Sequence, residues 1–158
     1  MKLGAADLQA YMQAQDIAGE ILHLSVPTPT VEAAAQAVNT RPEQIVKSIL
    51  FMVDEEPVLA ITCGTAYVER RVIADLFGVG KKRIKLADPA NVLDVSGYEV
   101  GAMPPFGHSK PLTTLLDRRV LESAEVFAGG GAENALVRLS PQDILRVSKA
   151  RVMDLVVV

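Results

Sequence analysis

Two runs constrain the fold more than any other part of the chain: Ile45–Val53, "IVKSILFMV", and Pro57–Cys63, "PVLAITC". Both are short, apolar and rich in branched side chains, which is the pattern of strands rather than helices. The residues between them, Asp54-Glu55-Glu56, include no apolar side chain and suggest a hairpin loop. A chain with this hairpin commits to a sheet, and the flanking segments must supply what packs on it.

Those segments alternate between helix and strand signals. Leu8, Tyr11 and Met12 form one helical face within Leu3–Gln15, and Glu20–Val26 alternates as a strand that Pro27 ends. Thr28-Pro29-Thr30 predicts a helix start, with a hydroxyl cap and a proline in the first turn, ahead of "VEAAAQAVN". Pro42 begins a short turn, "PEQI". Val68, Val72, Ile73 and Leu76 share a second helical face, with Gly78 and Gly80 as stop signals. "RIKLAD" reads as a strand and "PANVLDVSG" as a short helix. "LTTLLDRRVL" reads as a strand and turn, and "AEVFAGGGAENALVRLS" as two strands joined across Gly129-Gly130-Gly131. Ser140 and Pro141 open a closing helix, "PQDILRVSKA". The expected fold is α+β: a mixed, mostly antiparallel and partly barrel-like sheet surrounded by helices, in one domain over residues 1–158.

Composition narrows the function classes. With 16 Lys and Arg against 19 Asp and Glu, the net charge is −3, so any contact with nucleic acid has to come from a local patch. Aromatic residues are 4% and Trp is absent, which argues against an extended platform for stacking bases. The single cysteine, Cys63, lies in the apolar run "VLAITCG" and reads as a small buried side chain rather than a nucleophile. The first residues lack the apolar core of a signal peptide, and "VMDLVVV" is too short to span a bilayer, so a cytoplasmic protein with no membrane partner is the simplest expectation. Two histidines, His23 and His108, and one cysteine make a zinc site improbable, and no cofactor is expected.

GxSxG, Walker, HExxH and paired CxxC signatures are all missing. Three features remain. Lys47 places an ammonium in an otherwise almost wholly apolar strand, where an unpartnered charge is costly. The other reading is an outward-facing lysine whose stem snorkels. "GAMPPFGH", Gly101–His108, is neither helix nor central strand, because Pro104 and Pro105 remove two donors and fix two φ angles. Gly129–Gly131 is either a flexible turn or a set of bare amides lining an anion-binding concavity.

Taken in order, an alanine-rich helix, "QIVKSILF", "GYEVGAMPPFGH", "LLD" and a glycine-rich loop before "LSPQDIL" resemble the YbaK/EbsC (ProX-like) family. These are free-standing aminoacyl-tRNA deacylases related to the editing domain of bacterial prolyl-tRNA synthetases. The resemblance runs from about Glu20 to the end of the chain. It implies hydrolysis of the ester that joins a wrong, small amino acid such as Cys, Ala or Ser to the 3′ end of tRNA(Pro) or a similar tRNA. It further implies that Lys47 contacts the substrate and that the Gly101 backbone lines the aminoacyl pocket. Pro105, Phe106 and Gly107 would shape that pocket, with Met103 near its wall and Gly129, Gly130 and Gly131 on the opposite side. His23 falls near a position that is aromatic in some members; His23 and His108 are expected to be structural or substrate-positioning. Ala102 and Pro104 depart from the glycine and the serine or threonine of many relatives, which bears on the amino acid accepted.

The expected partner is the acceptor end of an aminoacyl-tRNA, with a prolyl-tRNA synthetase as a further one, for a monomer or homodimer. Arg70, Arg71, Lys81, Lys82, Arg83 and Lys85 are candidates for phosphate contacts, or else a solvated face. The competing readings are a non-catalytic module that binds tRNA ends or nucleotides, and a general small-ester hydrolase.

Overall fold

The structure is a computed structural model that describes residues 2–156. Eight strands form two sheets, where the sequence suggested one. The three-stranded sheet has β1 (Gly19–His23), β7 (Ala135–Leu139) and β6 (Val126–Gly129) in that order, antiparallel throughout. The five-stranded sheet runs β4 (Ile84–Leu86), β2 (Val46–Val53), β3 (Glu56–Cys63), β5 (Thr113–Asp117) and β8 (Arg151–Met153). β2 pairs antiparallel with both β3 and β4, whereas β3–β5 and β5–β8 are parallel. A parallel bridge between Ile45 and Phe127 joins the sheets just before β2 begins. The mixed, mostly antiparallel α+β expectation is met.

Period-two alternation explains how the sheets are covered. In β3, Leu59, Ile61 and Cys63 face one core, and Val58 and Ala60 face another. The first core is closed by α1 (Ala5–Ala14), α4 (Pro89–Ser96) and α5 (Pro141–Ser148) through Leu8, Met12, Val92, Val95 and Ile144. The second is closed by α3 (Arg70–Phe77) through Ile73 and Ala74. On the smaller sheet, Val126 and Ala128 join the first core, while Phe127 and Leu136 turn outward and are covered by Ala34 and Ala35 of α2 (Val31–Ala37). Leu59 and Ile61 are fully buried, each worth about 1.5–3 kcal/mol of apolar burial.

The helix signals act largely as read. Thr30 caps α2, its Oγ1 accepting the Ala33 N–H at 3.0 Å, although Pro29 precedes the helix instead of opening its first turn. Gly78 ends α3 in the left-handed region at φ 68°, and Ser140 with Pro141 opens α5. β1 stops at His23, earlier than the apolar run suggested, and β8 was not anticipated. No helix among the described residues is long and apolar enough to cross a membrane.

Candidate functional site

β2 enters its sheet at the seam with the smaller one, and Lys47 is its second residue. The first turn of α2, the start of β2, the loop after α4 and the end of β6 converge here on a cavity of about 170 Å³. Thr28, Thr30, Ala34, Lys47, Ser48, Gly101, Met103, Gly129 and Leu136 are among its walls. A second, mainly apolar cavity of about 490 Å³ shares Lys47, Ser48, Gly101 and Met103 with it, and adds Phe51, Tyr67, Arg70, Leu86, Val92 and Val100. The Lys47–Gly101 pair therefore stands on the wall common to two adjoining spaces.

Lys47 is half-buried, and its Nζ donates to the Ala66 carbonyl at 3.2 Å. The Nζ also lies 5.9 Å from the centroid of the Tyr67 ring. Among the described residues no carboxylate is within ion-pair distance of it. Burial pushes its ammonium below the ordinary lysine range; the Cys63 and Glu32 side chains oppose that shift, and Arg119 adds to it. The result is a cation that points into a cavity with donor capacity to spare. Cys63 is pushed up to about 11, chiefly by burial, so its thiol stays protonated and is no nucleophile at neutral pH.

Gly101 sits at φ 88°, and a Cβ added there would meet nothing within 4 Å. It borders open space in a conformation that strains any other residue. Among the described residues neither the Gly101 nor the Met103 amide has a backbone acceptor, and both residues border the shared wall.

The remaining candidates separate into groups. Gly129 borders the small cavity and packs directly under the loop: an added Cβ would overlap the Met103 carbonyl oxygen and lie 2.9 Å from the Met103 carbonyl carbon. The idea of an anion site built from all three glycines fails for Gly130 and Gly131. Their amides are already committed, donating to the carbonyls of Ala135 at 3.0 Å and Ala102 at 2.9 Å. Ala102 and Pro104 are buried beneath the loop. Pro105, Phe106, Gly107 and His108 line a different cavity of about 360 Å³, with Tyr11 and Val147. There Phe106 stacks on Tyr11 at 5.6 Å between centroids. His23 is exposed at the end of β1, opposite Ala135, and borders none of these cavities.

His108 thus acts on the loop from behind. Its Nε2 lies 2.8 Å from the Pro104 carbonyl, so the neutral ring carries its proton on Nε2 and donates it. Burial lowers its pKa below the ordinary 6.5, and the bond to Pro104 partly opposes that shift. A depressed histidine pKa means that the unfolded chain binds the proton more readily. Its contribution to stability is present above about pH 6.5 and is lost as the pH falls toward the folded value. His108→Phe should lower the melting temperature at pH 7 by leaving the Pro104 carbonyl unpaired, at a cost of about 1–3 kcal/mol. It should also flatten the decline in melting temperature between pH 7 and 5. Melting curves across that range check both effects.

Of the six basic candidates, three are engaged. Arg70 donates to the Ile84 carbonyl at 3.3 Å and lies over Phe51, and Lys81 pairs with Glu69 at 3.5 Å. Arg83 forks onto Asp54 at 2.9 and 3.0 Å. Arg71, Lys82 and Lys85 have no carboxylate partner among the described residues.

The sequence pointed to Lys47, Gly101, Met103 and Gly129, which the fold brings together. It missed Thr28, Thr30, Ser48 and Tyr67, which border the same spaces. Thr28 and Thr30 had been read only as a helix start. Tyr67 carried no signal in the sequence; only the fold shows it 88% exposed beside the larger cavity.

Residues 25–147 match the family model described as the aminoacyl-tRNA editing domain. The protein YwhH of Bacillus subtilis (strain 168) is 25% identical over 134 residues, covering 84% of this chain and 83% of YwhH. The proline–tRNA ligase of Streptococcus suis (strain 05ZYH33) is 30% identical over 118 residues; these are 70% of this chain but only 18% of the ligase. Among solved structures, a proposed trans-editing enzyme for prolyl tRNA synthetase superposes with a TM-score of 0.88 at 30% identity, covering 98% of this chain and 97% of that one. The match spans both cavities and every element that forms their common wall, and the chain belongs to the aminoacyl-tRNA editing domain family.

Proposed function

We propose that the chain hydrolyses the ester of a mischarged aminoacyl-tRNA, removing a small amino acid such as Cys, Ala or Ser from tRNA(Pro) or a similar tRNA. The observation that carries this reading is the wall shared by two unequal cavities, with the unpaired Lys47 ammonium and the free Gly101 amide on it. The reacting ester sits at that wall, the amino-acid side chain in the 170 Å³ cavity and the nucleoside end in the larger one.

Water adds to the ester carbonyl carbon, and the negative charge that develops on the carbonyl oxygen is met by Lys47 and the amides at Gly101 and Met103. The tetrahedral intermediate then expels the ribose oxygen, which takes up the proton released by the water. The products are the free amino acid and a tRNA with its hydroxyl restored. No His, Asp, Glu or Cys lines the small cavity; its polar side chains are Thr28, Thr30, Lys47 and Ser48. Proton transfer then falls to the neighbouring ribose hydroxyl or to water held by backbone carbonyls. An activated ester needs orientation more than a strong base.

Size exclusion gives the second site its purpose. Active-site contacts discriminate by only about 1–3 kcal/mol per methylene, so a synthetase admits small intruders that a narrow cavity can later accept. Gly101→Ala should reduce deacylation and penalise the largest accepted amino acid most, because the new methyl projects into open space at the mouth and strains φ 88°. Pro104→Ser should change the ranking while leaving hydrolysis in place, since Pro104 is buried and acts through the loop. Deacylation rates across Ala-, Ser-, Cys- and Pro-charged tRNA check both. Unchanged ranking and rates in both folded variants would reduce the loop to a connector.

The lack of an acid–base residue in the small cavity also suits a binding-only module. The same panel decides: a folded protein that binds charged tRNA without shortening the life of any ester is that module.

A further inference from the structure

We infer that Asp117 is a positioning residue for the editing site: its carboxylate holds the segment 151–156 against the loop 64–69, and that loop sets the Lys47 ammonium. The inference rests on the editing reading for what Lys47 does to a substrate. The connection itself is independent of that reading.

The loop is the first observation. Residues 64–69 join β3 to α3 and supply both neighbours of the Lys47 Nζ, the Ala66 carbonyl at 3.2 Å and the Tyr67 ring at 5.9 Å. Its backbone is tied at its two ends. The Gly64 N–H donates to the Ile45 carbonyl at 3.0 Å, and the Glu69 N–H donates to the Leu155 carbonyl at 2.7 Å. Val68 also forms an antiparallel bridge with Val156. Among the described residues the N–H groups of Thr65, Ala66 and Tyr67 find no backbone acceptor, so the partners of Lys47 keep their place through those two ends.

The second observation is a buried carboxylate behind one of the ends. Asp117 closes β5 and is 1% exposed. A carboxylate taken out of water is costly unless its oxygens are satisfied, and here each accepts a backbone N–H. Oδ1 accepts from Arg119 at 2.8 Å, opening the turn Arg118–Glu122, and the Arg119 Nε lies 3.5 Å from the same oxygen. Oδ2 accepts from Leu155 at 3.1 Å. Opening the turn needs only one oxygen. The other reaches the residue whose carbonyl holds Glu69, and the Leu155 side chain is fully buried in the second core with Phe51, Ala60 and Ile73.

Two backbone donors explain why the residue is an aspartate. A carboxylate offers an acceptor to each, whereas the amide of asparagine offers one acceptor and turns an NH₂ toward the other N–H. Asp117→Asn therefore keeps the shape and gives up one of the two bonds.

The bland alternative is that Asp117 only ends β5 and opens the turn. Lys47 reports which reading holds. Burial lowers its pKa, and the charged and titratable groups that act on it are Cys63, Glu32 and Arg119. Loss of the Asp117 charge leaves Arg119 uncompensated, which lowers the Lys47 pKa further through space. A loosened loop returns the ammonium to water and raises the pKa toward the ordinary 10.5. The two paths have opposite signs.

The test labels the intact protein with short pulses of acetic anhydride across alkaline pH and reads the Lys47 midpoint by mass spectrometry, alongside deacylation kinetics. In Asp117→Asn the midpoint should move up, and kcat should fall by about 10–100-fold with KM near wild type. In the Lys47→Ala background the same substitution should cost no further kcat, because it acts through the missing side chain. Glu69→Pro against Glu69→Ala repeats the test without touching Asp117: both lose the side chain, but only proline loses the N–H given to Leu155, so only proline should raise the midpoint. That pair decides the matter if Asp117→Asn does not fold. A Lys47 midpoint that stays or moves down, a full extra loss of kcat in the Lys47→Ala background, or equal behaviour of the two Glu69 variants would overturn the inference. Labelling as described in a protein that hydrolyses no charged tRNA refutes the editing reading and keeps the Asp117 connection; wild-type hydrolysis with an unmoved midpoint in the variants refutes the connection and keeps the editing reading.

Discussion

Lys47→Ala is expected to lose most deacylation, about 10²–10³-fold in kcat, while melting at or above the wild-type temperature. The two halves of that expectation have one cause. Lys47 is held partly out of water with a carbonyl and a ring for company, so its charge is a cost to the folded state and a resource for a substrate that brings negative charge. Its folded pKa lies below the ordinary 10.5, so the unfolded chain binds that proton more readily. Wild-type stability should therefore rise as the pH climbs through the window between the lowered value and 10.5, and Lys47→Met should lack that component. Arginine should rescue little, because a planar fork does not reproduce a compact ammonium on the wall of a cavity of about 170 Å³. Rates with mischarged tRNA and melting curves between pH 7 and 10 are the measurements. A folded Lys47→Ala protein with near-normal turnover would remove Lys47 from the chemistry.

Gly129→Ala should do the opposite, damaging fold and activity together. The added methyl would overlap the Met103 carbonyl oxygen, and Ala102 O lies only 3.1 Å from the same point. Both neighbours are backbone, so the loop has to move as a unit. Overpacking of this kind costs about 1–3 kcal/mol, and in a domain of this size each kcal/mol lowers the melting temperature by about 2–4 °C. The displaced segment is the one that carries Gly101 and Met103 on the shared wall, so kcat should fall even where the variant remains folded. The contrast with Gly101→Ala isolates the cause: there the methyl enters open space, so melting falls only by the strain at φ 88° while the loop keeps its packing on β6. A Gly129→Ala protein that melts within a degree of wild type and keeps its rate would show that the loop does not rest on β6.

Local chemistry determined much of this protein by itself. The hairpin of β2 and β3, the caps at Thr30 and Ser140, the stop at Gly78 and the stiff Pro104-Pro105 loop all follow from side chains interacting with their own backbone or with near neighbours. Such signals are readable because their energies depend on residues a few positions apart. Lys47 stood out for the same reason, as one charge in an apolar strand. The resemblance carried by Lys47 and the Gly101–Gly107 loop pointed to the editing family, which the match over residues 25–147 bears out.

Tertiary structure decided what those residues face. How the two sheets meet depends on the Ile45–Phe127 bridge, a contact between positions more than eighty residues apart that no local pattern encodes. The triple glycine resembled an anion nest in sequence, yet the Ala135 carbonyl within the same turn and the distant carbonyl of Ala102 take two of its amides and leave Gly129 as a packing surface for the loop. Pro105 to His108 are close to Gly101 in the chain but line a different cavity, where Phe106 stacks on Tyr11 of α1. His108 follows it and holds Pro104 from behind. Arg71, Lys82 and Lys85 differ from Arg70, Lys81 and Arg83 in having no bonded partner for their side-chain charge among the described residues. Charge can be counted along a chain, but which charges are already paired is settled by distances between segments that only the folded molecule brings together.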